Sequence, residues 1–487
     1  MAKGFAIHNA FTDHGGMIPA TQMMSSQQGN LFVRAGDGHF CPKCRCWSTV
    51  IKSHDHVIFD GKPVAYVGDK LTCGATIMPQ QTHVVGSSGS GSSISTATSS
   101  FVNNKQNTTD SFVDTKYAVE LLDVDNKPFI PLGVPSFDGK PSTKELVFTA
   151  KVKHGAFEAI ALAVKQDGAF VEVKKIEKAF ISGSMIKIAW DGFINDLYNS
   201  KLFTKESGLT VQIKGYNGGS VISTDEKTFK FKYFKKDWMD VVIGRKTKKV
   251  YITLRVNLSD GGDVGLDKTW HRVPKIVVQR SKKLPLKHRT LSFEQIKQIA
   301  LQGMNYYWSR NNQHPTGKNI IINDDSYEVT MNTIISSTMC MPSMPIIYSS
   351  NWIAGRSCNW ELSRKTVYNT GYIEYQKNSG NPNDSIWEYW EKSFSDNRFK
   401  HTFAHEMGHE ILLAYSGQSY SKKHKDSSSI FQSPVEGTKY PRVGEIDLMK
   451  YADENERRPD LKLFFERSIA AQEDVASLIF ISGIKLK

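Results

Sequence analysis

Apolar and polar residues alternate along much of residues 112–262. Tyr117-Ala-Val-Glu-Leu-Leu, Glu145-Leu-Val-Phe-Thr-Ala-Lys-Val, Met185-Ile-Lys-Ile-Ala-Trp and Leu209-Thr-Val-Gln-Ile-Lys all carry a period of two. That period sends one row of side chains into a core and the other into water. Asp138-Gly139, Asp167-Gly168 and Asn217-Gly218-Gly219 separate the runs, and such residues accept the backbone angles of tight turns. Short strands at this spacing predict an antiparallel β-sandwich with Ig-like topology over 112–262. Nothing in it carries chemistry, so a spacer or adaptor is expected.

Over 263–487 the pattern changes. Ser292-Phe-Glu-Gln-Ile-Lys-Gln-Ile-Ala-Leu-Gln-Gly-Met-Asn-Tyr-Tyr-Trp reads as an amphipathic helix capped by Ser292. Tyr327-Glu-Val-Thr-Met, Met344-Pro-Ile-Ile-Tyr and the run 366–375 read as strands. A second helix spans 401–415, and 460–480 closes the chain as a third. Helix, small sheet, helix and closing helix predict an α+β domain.

The remaining stretches differ in character. Residues 86–111, from Gly-Ser-Ser-Gly-Ser-Gly to Asn-Thr-Thr-Asp, hold no core-forming content and read as a flexible linker. The chain of 487 residues is 39% hydrophobic and 23% charged, as soluble multidomain proteins are. No apolar run approaches the ~20 residues of a membrane span, and the start lacks the apolar core of a signal peptide. The net charge of +13 raises nucleic acid or an anionic envelope as partners. Yet the basic clusters at 245–249, 280–283 and 422–425 have no interleaved aromatics, so they read as solvated faces and no nucleic-acid partner is expected. Cys340 and Cys358 read either as a pair or as two thiols.

The chemistry concentrates in the 401–415 helix, which contains His405-Glu406-Met-Gly-His409. Residues four apart share a helical face, so both imidazoles can meet one ion. Glu406, one residue on, is placed to deprotonate a water bound to that ion. Imidazole suits Zn²⁺, and a catalytic zinc keeps a position open for water. Phe403, Ala404, Met407, Ile411 and Leu412 would bury the helix, and Gly408 leaves room beside the metal. The plainer alternative is a solvated helix with chance His and Glu.

Residues 1–85 are short-stranded and Gly-rich. Phe32-Val-Arg-Ala-Gly36-Asp37-Gly-His39-Phe-Cys41 parallels Val64-Ala-Tyr-Val-Gly68-Asp69-Lys-Leu-Thr-Cys73, and His14-Gly15-Gly16 precedes both. Repeated strands on Gly turns predict a small β-structure that profits from a metal staple. The stretch resembles the PAAR-type proteins that sharpen the type VI secretion spike. That resemblance implies a β-cone with a structural zinc near its tip, ligated by His14, His39 and Cys41. The fourth ligand stays open among Cys44, Cys73, His54 and His83, because Cys41-Pro-Lys-Cys44-Arg-Cys46 departs from the commonest family pattern. A zinc-ribbon-like binding module is the alternative.

Through its one motif, 263–487 resembles zincin metallopeptidases, which implies a third protein ligand. His424 is the first choice: the helix can run to about 415, turn at Gly417 and return extended through 419–424. Metzincins place that His only about six residues after the second motif His, so this chain departs from their spacing. Met449, in Gly444-Glu-Ile-Asp-Leu-Met-Lys-Tyr451, resembles the methionine beneath a metzincin zinc. Glu445, Asp447 and Glu473 are the other candidate ligands. His401 reads as an orienting or substrate-side residue, and Tyr420, Tyr440 or Tyr451 as an oxyanion donor.

Together these resemblances imply an antibacterial effector toxin, loaded in the cytoplasm and fired by the type VI system. It would seat on a valine-glycine-repeat spike trimer, hydrolyse peptide bonds in protein or peptide substrates and be countered by an immunity protein. A peptidoglycan stem-peptide amidase or endopeptidase, and a spike protein with a non-catalytic zincin domain, are the alternatives.

Overall fold

A computed structural model describes residues 2–487 other than 22–25, 28–29, 55, 60, 80–84, 88–115, 267–285, 351–353, 362, 375–385, 423–438 and 452–458. Two compact units emerge, Met1–Val113 and most of Asp114–Lys487.

The first unit closes on itself through three short segments. Ala6 donates its N–H to the Ala65 carbonyl, Ala65 to Val33 and Val33 back to Ala6, at 2.8, 2.8 and 2.9 Å. Around that ring lies a small core of Ala6, Ala10, Ile18, Val33, Val50, Ala65, Leu71 and Ile77. The two Gly-Asp repeats do the same work twice. Asp37 accepts the Arg34 N–H at 2.9 Å and Asp69 the Tyr66 N–H at 2.8 Å, while Gly36 and Gly68 hold φ of 87° and 88°, which only glycine adopts freely. Each carboxylate thus stands in for a missing strand partner. Val85–Ser87 pairs antiparallel with Ala2–Gly4, so this unit runs past the expected edge at residue 85. The expected linker lies almost wholly outside the described residues.

In the second unit, Ala118–Val124, Leu146–His154 and Met185–Trp190 form one antiparallel sheet. Ala156–Gln166, Ala169–Ile181, Leu209–Asn217 and Ser220–Phe229 form another. Their inner faces share a core in which Phe148 meets Phe229. The alternating runs therefore become strands, as their period requires.

The boundary expected at 262/263 does not separate two bodies. It falls inside strand Leu258–Val264, which pairs parallel with Met344–Ser349. Lys249–Val256 likewise pairs parallel with Asp325–Ile335, and Phe231–Tyr233 pairs antiparallel with Ile484–Leu486. One hydrophobic core runs through all of it. Periodicity identifies a strand but not its partner, and here the partners lie across the boundary.

Phe293–Tyr307 is the expected helix, closed by a capping box between Ser292 and Gln295. It crosses the long helix Lys392–Ser416 at Gly303, whose missing side chain lets it approach the backbone of Lys400. The closing helix is split into Leu461–Arg467 and Gln472–Ile481. Between them Ser468–Ile469 pairs with Ile446–Asp447, and Ser468 Oγ caps the first piece by donating to the Phe464 carbonyl at 2.7 Å. In the cluster at 245–249, Lys246 pairs with Asp196 and Lys248 with Asp325 at 2.8 and 2.7 Å; 280–283 and 423–425 lie outside the described residues. No helix among the described residues is long and apolar enough to cross a membrane.

Candidate metal centres and the cleft

In the first unit, His14, Cys41, Cys44 and Cys73 bring one ligand atom each within 4.8 Å of one another. Among the described residues no other group of three or more His, Cys, Asp or Glu does so. His14 Nδ1 stands 3.4, 3.8 and 4.0 Å from the sulfurs of Cys44, Cys41 and Cys73. Tetrahedral zinc with Zn–S near 2.3 Å and Zn–N near 2.05 Å sets such pairs about 3.6 Å apart. The donor chemistry and spacing fit a structural zinc.

Local structure explains the choice of ligands. Cys41 and Cys46 face each other across the hairpin of Gly38–Cys41 and Cys46–Thr49. The turn between them folds Cys44 back, its N–H donating to Cys41 Sγ at 3.4 Å. Cys73 is delivered by the second repeat, its N–H donating to the Ser48 hydroxyl at 3.1 Å.

His39 lies outside this group, which corrects the expected set. Its strand sends it inward beside Gly16, where a Cβ would sit 2.6 Å from His39 Nδ1, and burial lowers its imidazole pKa. His54 is also elsewhere, its Nε2 2.8 Å from the Val64 carbonyl, and His83 is outside the described residues. All six cysteines among the described residues are free thiols, Cys340 and Cys358 included.

In the second unit, the helix Lys392–Ser416 carries His405, Glu406 and His409. The two imidazole rings lie 4.8 Å apart, edge to face. Each is fixed through Nδ1: His405 to the Leu448 carbonyl and His409 to the Ser421 carbonyl, both at 2.7 Å. A carbonyl only accepts, so Nδ1 carries the proton and Nε2 the lone pair that a metal uses. Gly408 between them is pressed by Met449 and by Trp308, whose Nε1–H donates to the Ala404 carbonyl at 3.1 Å. Asn359 holds the Glu406 carbonyl at 2.6 Å, and Arg364 joins Asn359 to buried Glu410.

Glu406 is buried, and desolvation raises its carboxyl to about 8 against the opposing pull of Arg356. Burial lowers the His405 imidazole. The Tyr451 ring stacks on His405 at 5.2 Å and 21°. Arg356 donates to its hydroxyl at 3.4 Å, and burial, then the charge of Glu406, raises that phenol. A cleft of about 240 Å³ opens over Glu406 and His405, bordered by Arg356, Asp447, Tyr451 and His401.

The expected third ligands fare differently. His424 is outside the described residues, and the return before it is a short helix, Gln418–Lys422, not the expected extended strand. The reason is local: Gly417 caps the long helix by donating to Leu413 and lets a new turn start at once. Glu445 is bound to buried Arg310 at 2.5 Å. Glu473 is exposed and its charge reaches Tyr415, six residues beyond His409. Asp447 borders the cleft, its carboxylate accepting the Met449 N–H at 2.9 Å. Among the described residues Asp447 is the candidate donor that borders the cleft, and it does not close with the two imidazoles into a group as tight as that of the tip. Among the tyrosines, Tyr440 and Tyr451 border the cleft, whereas Tyr420 bonds Asp474 at 3.0 Å. Arg356, Arg310 and Asn359 were not expected; they sit in no motif, and only the fold brings them to the site.

Residues 8–79 match the PAAR motif family, which supports the first unit as a type VI spike-tip domain. No curated protein matches the chain. Solved structures similar to it include β-glucuronidase from Ruminococcus gnavus, at 9% identity and a TM-score of 0.13, covering 38% of this chain and 24% of that one. The same enzyme with D-glucuronic acid gives 8%, 0.14, 46% and 31%. The chain spans only about a quarter to a third of those proteins, and at such scores they say nothing about its fold.

Proposed function

We propose that this chain is a PAAR-tipped type VI effector whose second unit ends in a zinc-dependent peptidase. One observation carries the enzymatic part: both motif imidazoles are locked through Nδ1 by backbone carbonyls, on either side of a buried carboxylate that faces a cleft. Zn²⁺, when bound, would supply a Lewis acid for a carbonyl and a more acidic water. His405 and His409 would hold it through Nε2, with His424 completing the site and Asp447 as the alternative. Glu406, buried beside the two imidazoles, would be held as the carboxylate by the charge of the bound cation, so that it takes a proton from the attacking water and returns it to the leaving nitrogen. Tyr451, backed by Arg356, donates to the developing oxyanion.

The first unit then seats the chain on the valine-glycine-repeat spike, made in the cytoplasm and secreted with it. The sheets of 118–229, read as an Ig-like sandwich, serve as the adaptor part of the second unit. A susceptible bacterium is the target, and an immunity protein protects the producer. The test is full-length expression in a susceptible strain, directed to cytoplasm and to periplasm. Glu406→Gln should keep its zinc, lose toxicity and lose about 10²–10⁴ in turnover. A Glu406→Gln chain as toxic as its parent overturns the peptidase reading in favour of a binding domain.

A further inference from the structure

The cleft that holds Glu406 also has an aromatic wall built by two helices. Phe394, Phe399 and His401 come from Lys392–Ser416, and Phe464 and Phe465 from Leu461–Arg467. The rings interlock: His401 lies 5.0 Å from Phe464 and 5.8 Å from Phe465, and Phe394 lies 6.3 Å from Phe465. Beyond Phe394, Leu461 and Phe465 the surface is hollowed again, over about 670 Å³ lined by Tyr306, Lys400 and Lys462. The two hollows share those three residues, so the groove continues past the site instead of closing as a pocket for a small molecule.

We infer that this site takes polypeptide in extended form, with a large apolar side chain, preferably aromatic, seated against Phe394, His401, Phe464 and Phe465 beside the bond attacked. The inference rests on the peptidase reading and chooses between its two substrate classes. Aromatic faces and edges reward a ring over an aliphatic stub. Wall stem peptides are built from alanine, glutamate and a diamino acid. They offer nothing to fill this wall, and their charged groups would lose water there without a partner. Protein substrates offer such residues throughout their sequences.

The zinc-loaded full-length chain is incubated with a denatured bacterial proteome and, separately, with purified sacculi. New termini are labelled and sequenced by mass spectrometry, with Glu406→Gln as the control. Phe, Tyr, Trp or Leu should be enriched about tenfold at one position beside the cut, and sacculi should stay intact. Phe465→Trp, which narrows the wall, should shift the preference toward smaller side chains. Cuts without that enrichment, or release of stem-peptide fragments, overturn the inference and leave the peptidase standing. Binding keeps the two readings apart. The zinc-loaded Glu406→Gln chain is titrated by fluorescence anisotropy with two peptides differing only as Phe against Ala. Tenfold tighter binding of the Phe peptide supports the wall even if the parent cuts nothing, in which case only the peptidase reading falls. Equal binding overturns the inference.

Discussion

Two glycines on facing helices allow fold and site to be perturbed separately. At Gly303 an added Cβ would stand 2.5 Å from the Lys400 carbonyl oxygen and 2.7 Å from its Cα. These are backbone atoms of the neighbouring helix, so relief requires the helices to part. At Gly408 the new methyl would fall on Met449 Sδ and 2.9 Å from Trp308 Cζ2. Those are side-chain atoms, but both residues are fully buried, and Trp308 is tied to Ala404. Overfilling a packed core costs about 1–3 kcal/mol, whereas Gly→Ala inside a helix returns about 1 kcal/mol. Gly303→Ala should sit at the upper end, a net loss of about 2 kcal/mol, and Gly408→Ala lower, a net loss of about 0–1 kcal/mol. Zinc affinity should rank the other way. Met449 follows Leu448, whose carbonyl orients His405, and disturbing such an outer partner weakens a metal about 10–100-fold. Urea melts and competition with a zinc chelator measure the two quantities on the same preparations. A Gly408→Ala protein with parental zinc affinity, or one less stable than Gly303→Ala, refutes the reasoning.

Two further outcomes follow from the titrating groups and the tip cluster. Burial lifts the Glu406 carboxyl from 4.5 to about 8, so between those values the metal-free folded chain binds a proton that the unfolded chain does not. Its stability therefore falls as pH rises from about 4.5 to about 8, and Glu406→Gln should be more stable by about 3 kcal/mol at pH 7 and equal near pH 4; a gap that does not change with pH in chelator-treated melts sinks this. At the tip, Cys44→Ser and Cys73→Ser should each lower bound zinc by one equivalent by elemental analysis, while His39→Ala keeps it. Loss of that zinc in His39→Ala with retention in Cys73→Ser would reverse the ligand assignment.

Local rules were legible wherever the determinant and its effect lie within one turn or one strand. Ser292 announces the start of its helix because a cap and the N–H it accepts lie three residues apart; the reciprocal bond from Gln295 that completes the capping box is seen in the structure. The His405/His409 pair is legible for the same reason, and the Gly36-Asp37 and Gly68-Asp69 repeats announce their turns through backbone angles. The tip ligands show where this reach ends. His39 and Cys41 sit two apart on one strand, so alternation puts both on the same face and gives no means of separating them. What separates them is the hairpin turn that folds Cys44 back onto Cys41, together with Gly16, which receives the His39 ring.

The site of the second unit is further from legibility, because its orientation comes from chain-distant backbone. Leu448 can fix His405 only because its own N–H is held by the Ile469 carbonyl at 2.9 Å. Ile469 is in place because the closing helix breaks at Ser468 to make a strand. Buried Arg310 fastens both sides, donating to the Ala470 carbonyl at 2.8 Å and to Glu445. A helical reading of 460–480 removes that strand, and with it the reason His405 points its Nε2 outward from the helix. The motif thus specifies which atoms meet, while a helix break some sixty residues later specifies how they are aimed.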